Sequence, residues 1–125
     1  MIAGLGIDMI EVDRIAEKIN KESGFRELLF SANEITYCES KTNKFEYYAA
    51  RFAAKEAFYK ALGTGWLEGT AFNEIEIVHT ANGKPEFNFT GPTTTVIDLL
   101  EFSTISVSLT HLKATASAVV IIEKK

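Results

Sequence analysis

The run FEYYAARFAAKEAFYKALG constrains the fold more than any other part of the chain. Phe45 to Leu62 holds neither glycine nor proline and is the longest helical pattern present. At about 100° per residue, Ala50, Ala54, Ala57 and Ala61 share one face, and an alanine face lets a helix approach another backbone closely. Tyr47, Phe58 and Leu62 make an adjacent bulky face, and Phe45, Tyr48, Ala49, Phe52 and Tyr59 make a third. A helix apolar over so much of its circumference has to be covered by the rest of the chain. Gly63, in the Gly-Thr-Gly just beyond it, is placed to end it in the left-handed C′ position. In the middle of the third face stands Glu56. An ionised acid among aromatics is costly unless it is paired or binds a metal. Glu56 and Lys60 are spaced i, i+4 in the favourable order, so an ion pair is the simplest account. Arg51 and Lys55 share a basic edge, which reads as a solvated rim.

The remaining segments read as the cover. Ile2 to Ile10 is a strand in which Gly4 and Gly6 mark close backbone approach. Glu11 to Asn20 is a helix with Val12, Ile15, Ala16 and Ile19 on its apolar side, and Gly24 interrupts. Ser31 to Glu34 is a capping box that opens a short helix to about Glu39. Asn73 to Thr80 alternates as a strand, Asn82-Gly83 is a hairpin signal, and Glu86 to Phe89 returns. Thr93 to Phe102 is predicted helical after Pro92, and Ile105 to Leu109 and Ala114 to Ile122 are the last strands. This order predicts one α+β domain over residues 1–125, with a largely antiparallel sheet packed on the long helix.

Composition narrows the classes. The 125 residues suit one domain, and 46% apolar with 24% charged residues is an ordinary soluble composition. Nothing is long and apolar enough to span a bilayer, and no basic-then-apolar leader opens the chain. Cys38 is the only cysteine, so neither an internal disulfide nor a cysteine zinc cluster is available, and a reducing, cytoplasmic compartment is expected. A net charge of −4 argues against general nucleic-acid binding. An acidic partner would have to meet a local basic patch.

The first strand, in GLGIDMIEVDRI, carries a second misplaced acid, Asp8. It either caps the next element or holds something charged. Two carboxylates on rigid elements can bind a hard cation such as Mg²⁺, which usually takes one or two protein carboxylates and completes its shell with waters and substrate phosphates. Lys60, Lys55 and Arg51 could balance those phosphates. The acids lie far apart in sequence, so spacing alone ranks a metal site below a simple structural role.

GIDMIEVDRI followed by RFAAKEAFYKALGTG, with NGKP and the final SVSLTHLKATASAVVIIE, resembles the holo-(acyl-carrier-protein) synthases, a family of phosphopantetheinyl transferases. The likeness runs along the whole chain. It implies transfer of 4′-phosphopantetheine from coenzyme A to a serine of an acyl carrier protein, with Mg²⁺ as cation and adenosine 3′,5′-bisphosphate as the other product. Asp8 and Glu56 match the family's metal ligands, and Lys60 matches the lysine that contacts the transferring phosphate. Glu56 could also take the serine proton, directly or through a metal-bound water.

The resemblance further implies a homotrimer with active sites at the subunit boundaries. The neighbour's hairpin and serine-rich strand would complete the coenzyme A site, which makes Asn82, Gly83, Lys84, Pro85, Ser106 and His111 candidate contacts beside Arg51, Lys55 and Lys60. Gly63 and Gly65 would let backbone approach phosphate. Many members carry histidine where this chain has Ser106, a departure that bears on coenzyme A binding. Carrier proteins are acidic, and Arg14, Lys18 and Lys21 form one stripe on the first helix. Arg14 matches an arginine used against the carrier, Phe25 an apolar contact, and Arg26 adds charge. Two other readings stand beside this one: a Mg²⁺-dependent phosphohydrolase using the same acids, and a coenzyme A or carrier-binding module without transfer.

Overall fold

The computed structural model describes residues 1–125. In chain order it has β1 (Ile2–Glu11), α1 (Val12–Lys21), α2 (Phe25–Leu29), α3 (Ala32–Glu39), α4 (Lys44–Leu62), a 3₁₀ turn (Phe72–Glu74), β2 (Ile75–His79), β3 (Pro85–Phe89), α5 (Gly91–Asp98), β4 (Thr104–His111) and β5 (Thr115–Glu123). This is the expected α+β architecture. The strands, however, make two antiparallel sheets rather than one: β1-β5-β4 and the separate hairpin β2-β3. Asp8 pairs with Ala118 and Ser106 with Ile121, so both ends of the chain meet in the larger sheet.

The long helix α4 is the axle of the fold. Tyr48, Ala49, Ala50, Ala53, Ala54, Ala57, Phe58, Tyr59 and Ala61 on it are all buried. Its C-terminal half packs with Val107, Val120 and Ile122 of the three-stranded sheet, and its N-terminal half packs with Val12 and Ile15 of α1, Leu29 of α2 and Phe30 just beyond it. The alanine face meets β1 as its small side chains allow. A Cβ added at Gly6 would strike the Ala57 carbonyl and lie 2.7 Å from the Ala61 nitrogen, and one at Gly4 would strike the Ala61 carbonyl. Those two glycines bring strand and helix into backbone contact. Gly63 caps α4 at φ 81°, as its position requires.

Local chemistry explains the boundaries that differ from the sequence reading. Ser31 and Glu34 do form a reciprocal capping box. Gly24, at φ 84°, does not merely interrupt: it is the N-cap of α2, a five-residue helix the pattern did not reveal. Residues 72–74 form the 3₁₀ turn before β2 begins at Ile75. The last helix starts at Gly91 and ends at Asp98, short of Phe102, and Glu101 then turns the chain at φ 56° into β4.

Candidate active site

Strand β1 and helix α4 hold the three residues singled out as chemical. Lys60 Nζ donates to Asp8 Oδ1 at 2.9 Å and to the Ile7 carbonyl at 3.1 Å. Glu56 lies one helical turn before Lys60, half-buried, and its carboxyl is held above the ordinary carboxylate range by burial and by the charge of Asp8, with Lys60 opposing. The i, i+4 ion pair between Glu56 and Lys60 is therefore not what forms: the lysine crosses to Asp8 instead. Asp8 is fixed from the other side too, because Ser117 Oγ donates to its backbone carbonyl at 3.0 Å.

These residues fit a hard cation. No group of three or more His, Cys, Asp or Glu side chains forms a closed cage. Two acids from facing elements leave most of a coordination shell for waters and a phosphorylated substrate, which is how Mg²⁺ is commonly held.

Lys55 departs furthest from the sequence reading. It is not part of a solvated rim: its side chain and that of Glu34 are both fully buried, 2.7 Å apart. Nζ also donates to the carbonyls of Leu29 and Phe72, each at 2.8 Å. Glu34 in turn accepts from the backbone nitrogens of Ser31 and Ile77, both at 3.0 Å. Burial pushes the lysine pKa down and Glu34 opposes this. All three ammonium donors are engaged inside the protein, so Lys55 has none to offer coenzyme A and is removed from that set.

Arg51 is also buried, yet its situation is the opposite. Its guanidinium lies 4.4 Å from the Tyr37 ring centroid, and Nε has no hydrogen-bond partner. Lys41 lies over both Tyr37 and Tyr47, at 4.8 and 5.3 Å. His79 packs on Tyr37, and its pKa is lowered by burial and by Arg51 and Lys41. His111 packs on Tyr47 and places Nδ1 2.9 Å from Glu46 Oε1. A cation-rich aromatic cluster thus joins Arg51 and His111. The sequence reading named those two but missed Lys41, Tyr37, Tyr47, Glu46 and His79, which converge from α3, α4, β2 and, for Lys41, the link between α3 and α4. Tyr47 and Arg51, one helical turn apart, were the available signal.

The other candidates are spread out. Asn82, Gly83 and Lys84 sit exposed at the tip of the β2-β3 hairpin, with Gly83 at φ 84° and Pro85 opening β3 opposite His79. Gly63 and Gly65, at φ 81° and 67°, lie just beyond Lys60 in an exposed loop. Ser106 projects from the outer face of β4, the face opposite His111. On α1, Arg14, Lys18 and Lys21 are exposed; Lys18 lies 5.6 Å from the Phe25 ring, and Lys21 pairs with Glu17 at 3.8 Å. Arg26 is paired with Glu27 and Glu39 at 3.2 and 3.5 Å, so its charge is less free than the sequence reading assumed.

Two acids, one on a strand and one on a helix, with a lysine bonded to the first, are an arrangement able to hold a hard cation and a phosphorylated group. The family model for the 4′-phosphopantetheinyl transferase superfamily matches residues 4–118, and the chain belongs to that superfamily. It is 46% identical to a holo-[acyl-carrier-protein] synthase of Cytophaga hutchinsonii over 99% of both chains. It is 50% identical to one of Ruminiclostridium cellulolyticum over 94% of this chain and 90% of that one. Among solved structures, the synthase of Neisseria meningitidis superposes with a TM-score of 0.90 at 34% identity, covering 99% of this chain and 100% of that one. The Bacillus anthracis synthase, in complex with CoA (3′,5′-ADP), superposes with a TM-score of 0.81 at 34% identity, covering 100% and 99%.

Proposed function

We propose that the protein transfers 4′-phosphopantetheine from coenzyme A to a serine of an apo acyl carrier protein in a Mg²⁺-dependent reaction. The observation that carries this is the convergence of Asp8, Glu56 and Lys60, from a strand and a helix clamped together by Gly4 and Gly6. The serine oxygen bonds to the pantetheine-side phosphorus, the pyrophosphate bridge to that phosphorus breaks, and adenosine 3′,5′-bisphosphate leaves. Asp8 and Glu56 would hold the cation, which when bound neutralises and orients the pyrophosphate. Glu56 is placed to take the serine proton. Lys60 supplies a flexible positive charge to the phosphate. The buried Arg51 Nε, with no protein partner, supports Arg51 as a further anion contact.

The active form is a homotrimer in this proposal. The outer face of β1 supports it: Leu5, Ile7 and Met9 are 65%, 64% and 69% exposed in a row. Val119 and Ile121 extend that face on β5, and Ser106 and Ser108 continue it on β4. Such an apolar sheet face wants a partner. In the trimer the neighbour's Asn82 to Pro85 hairpin, Ser106 and His111 would complete the coenzyme A site, with backbone approach at Gly63 and Gly65. Arg14, Lys18, Lys21 and Phe25 would meet the acidic carrier, with Arg26 a lesser contributor. The proposal places this reaction in the cytoplasm; no helix is long and apolar enough to cross a membrane.

The test mixes the protein with coenzyme A, Mg²⁺ and an apo acyl carrier protein and weighs the carrier by mass spectrometry. A gain of one phosphopantetheine, abolished by EDTA, is expected. Coenzyme A binding without any gain, over several carriers, would leave a binding module. Bisphosphate release without carrier modification would indicate a hydrolase.

A further inference from the structure

Helical spacing would pair Lys60 with Glu56, but its ammonium instead spans two oxygens of β1, the Asp8 carboxylate and the Ile7 carbonyl. Carboxylate and backbone carbonyl oxygens are also the donors a hard divalent cation takes. Lys60 is the only side chain within ion-pair distance of either acid. The two members of the pair differ in freedom: the Asp8 side chain is 16% exposed on a paired strand, whereas the Lys60 side chain is 55% exposed on a four-carbon stem. An ammonium and a divalent cation cannot both neutralise one carboxylate at contact distance without repelling each other.

We propose that Lys60 is an exchangeable counter-ion: it holds Asp8 and Ile7 until a divalent cation binds, then leaves them and turns to the coenzyme A phosphate. This rests on the reading of Asp8 and Glu56 as metal ligands. It makes the uptake of cation the event that frees the lysine for substrate, so phosphate engagement by Lys60 comes after cation binding and not before it. It also keeps Asp8 neutralised at every stage, which accounts for a carboxylate being tolerated on an apolar strand.

The experiment tracks the lysine ammonium groups of the full-length protein by ¹⁵N NMR while Mg²⁺ is added without nucleotide, with calorimetry in parallel. The Lys60 signal is the one missing from Lys60→Gln. Its expected behaviour is to shift at the calorimetric midpoint and to shift again when coenzyme A is added. Surface ion pairs are weak, so Lys60→Gln should bind Mg²⁺ only about two- to fivefold more tightly without nucleotide. Saturation with Mg²⁺ that leaves the Lys60 signal unmoved would overturn the proposal. So would Mg²⁺ uptake that occurs only with coenzyme A present, since substrate would then be what frees the lysine. A distinct failure, Mg²⁺ binding unchanged in Asp8→Asn, would instead remove the metal-ligand reading itself.

Discussion

Replacing Lys55 with methionine removes a buried ammonium and keeps most of its bulk. Three contacts go at once: Glu34 at 2.7 Å and the carbonyls of Leu29 and Phe72 at 2.8 Å. Glu34 stays fully buried, with only the Ser31 and Ile77 nitrogens as donors. Breaking a buried pair by removing one partner costs about 3–5 kcal/mol, because the remaining charge is uncompensated. Unfolding entropy of roughly 2.1 cal/mol/K per residue gives about 0.26 kcal/mol/K for 125 residues. Lys55→Met should therefore lower the melting midpoint by about 11–19 °C. Calorimetry at one fixed protein concentration measures this, since assembly would otherwise shift the midpoint. Lys55→Met with Glu34→Gln should lose less than the sum of the two single losses, by about 0.5–3 kcal/mol. If Lys55→Met melts within about 2 °C of the parent but binds coenzyme A far more weakly, the structural assignment is wrong and Lys55 belongs to the substrate site.

Gly6→Ala should push α4 off β1, because its Cβ would collide with the Ala57 carbonyl. It should cost at least about 1–3 kcal/mol, and a displacement near 1 Å between Asp8 and Glu56 should cut kcat/KM by about 100-fold; near-parental rates would refute the close-contact argument. Glu56→Gln should slow transfer by about 10²- to 10⁴-fold if Glu56 is the base, read by the carrier mass assay. The same variant should melt higher than the parent at pH 7 with EDTA present. Folding raises the Glu56 pKa above its ordinary 4.5, so the stability this group contributes is present below that value and lost as pH rises through the folded pKa. The advantage of Gln should accordingly fade as pH falls toward 4. Arg14→Glu should weaken carrier binding much more than coenzyme A binding, and equal loss of both would count against docking on α1.

How much was legible depended on whether the signal was local. The capping box at Ser31, the stop at Gly63 and the hairpin at Asn82-Gly83 are set by neighbours in the chain, and each appears where its residues imply. Gly4 and Gly6 also read correctly, since glycine within an apolar strand has few other uses. The short α2 and the early end of α5 were missed because five- and eight-residue helices carry too little periodicity, and their limits are fixed by packing and by turns at Gly24 and Glu101. The aromatic cluster around Arg51 was missed because its members come from four separate elements and the link between α3 and α4.

Residue types and their spacing determined that this chain would bury a long alanine-faced helix, that one acid would sit in an apolar strand, and that another would sit beside the aromatic face of that helix. They could not determine what each lysine touches. Lys55 and Lys60 lie on neighbouring turns of one helix with the same side chain; one is sealed in by Glu34, and the other reaches across to Asp8. Five residues rotate a helical position by about 140°, so the two point to different surroundings, and only the placement of α2, α3 and β1 around the helix decides which becomes a structural pin and which a movable charge.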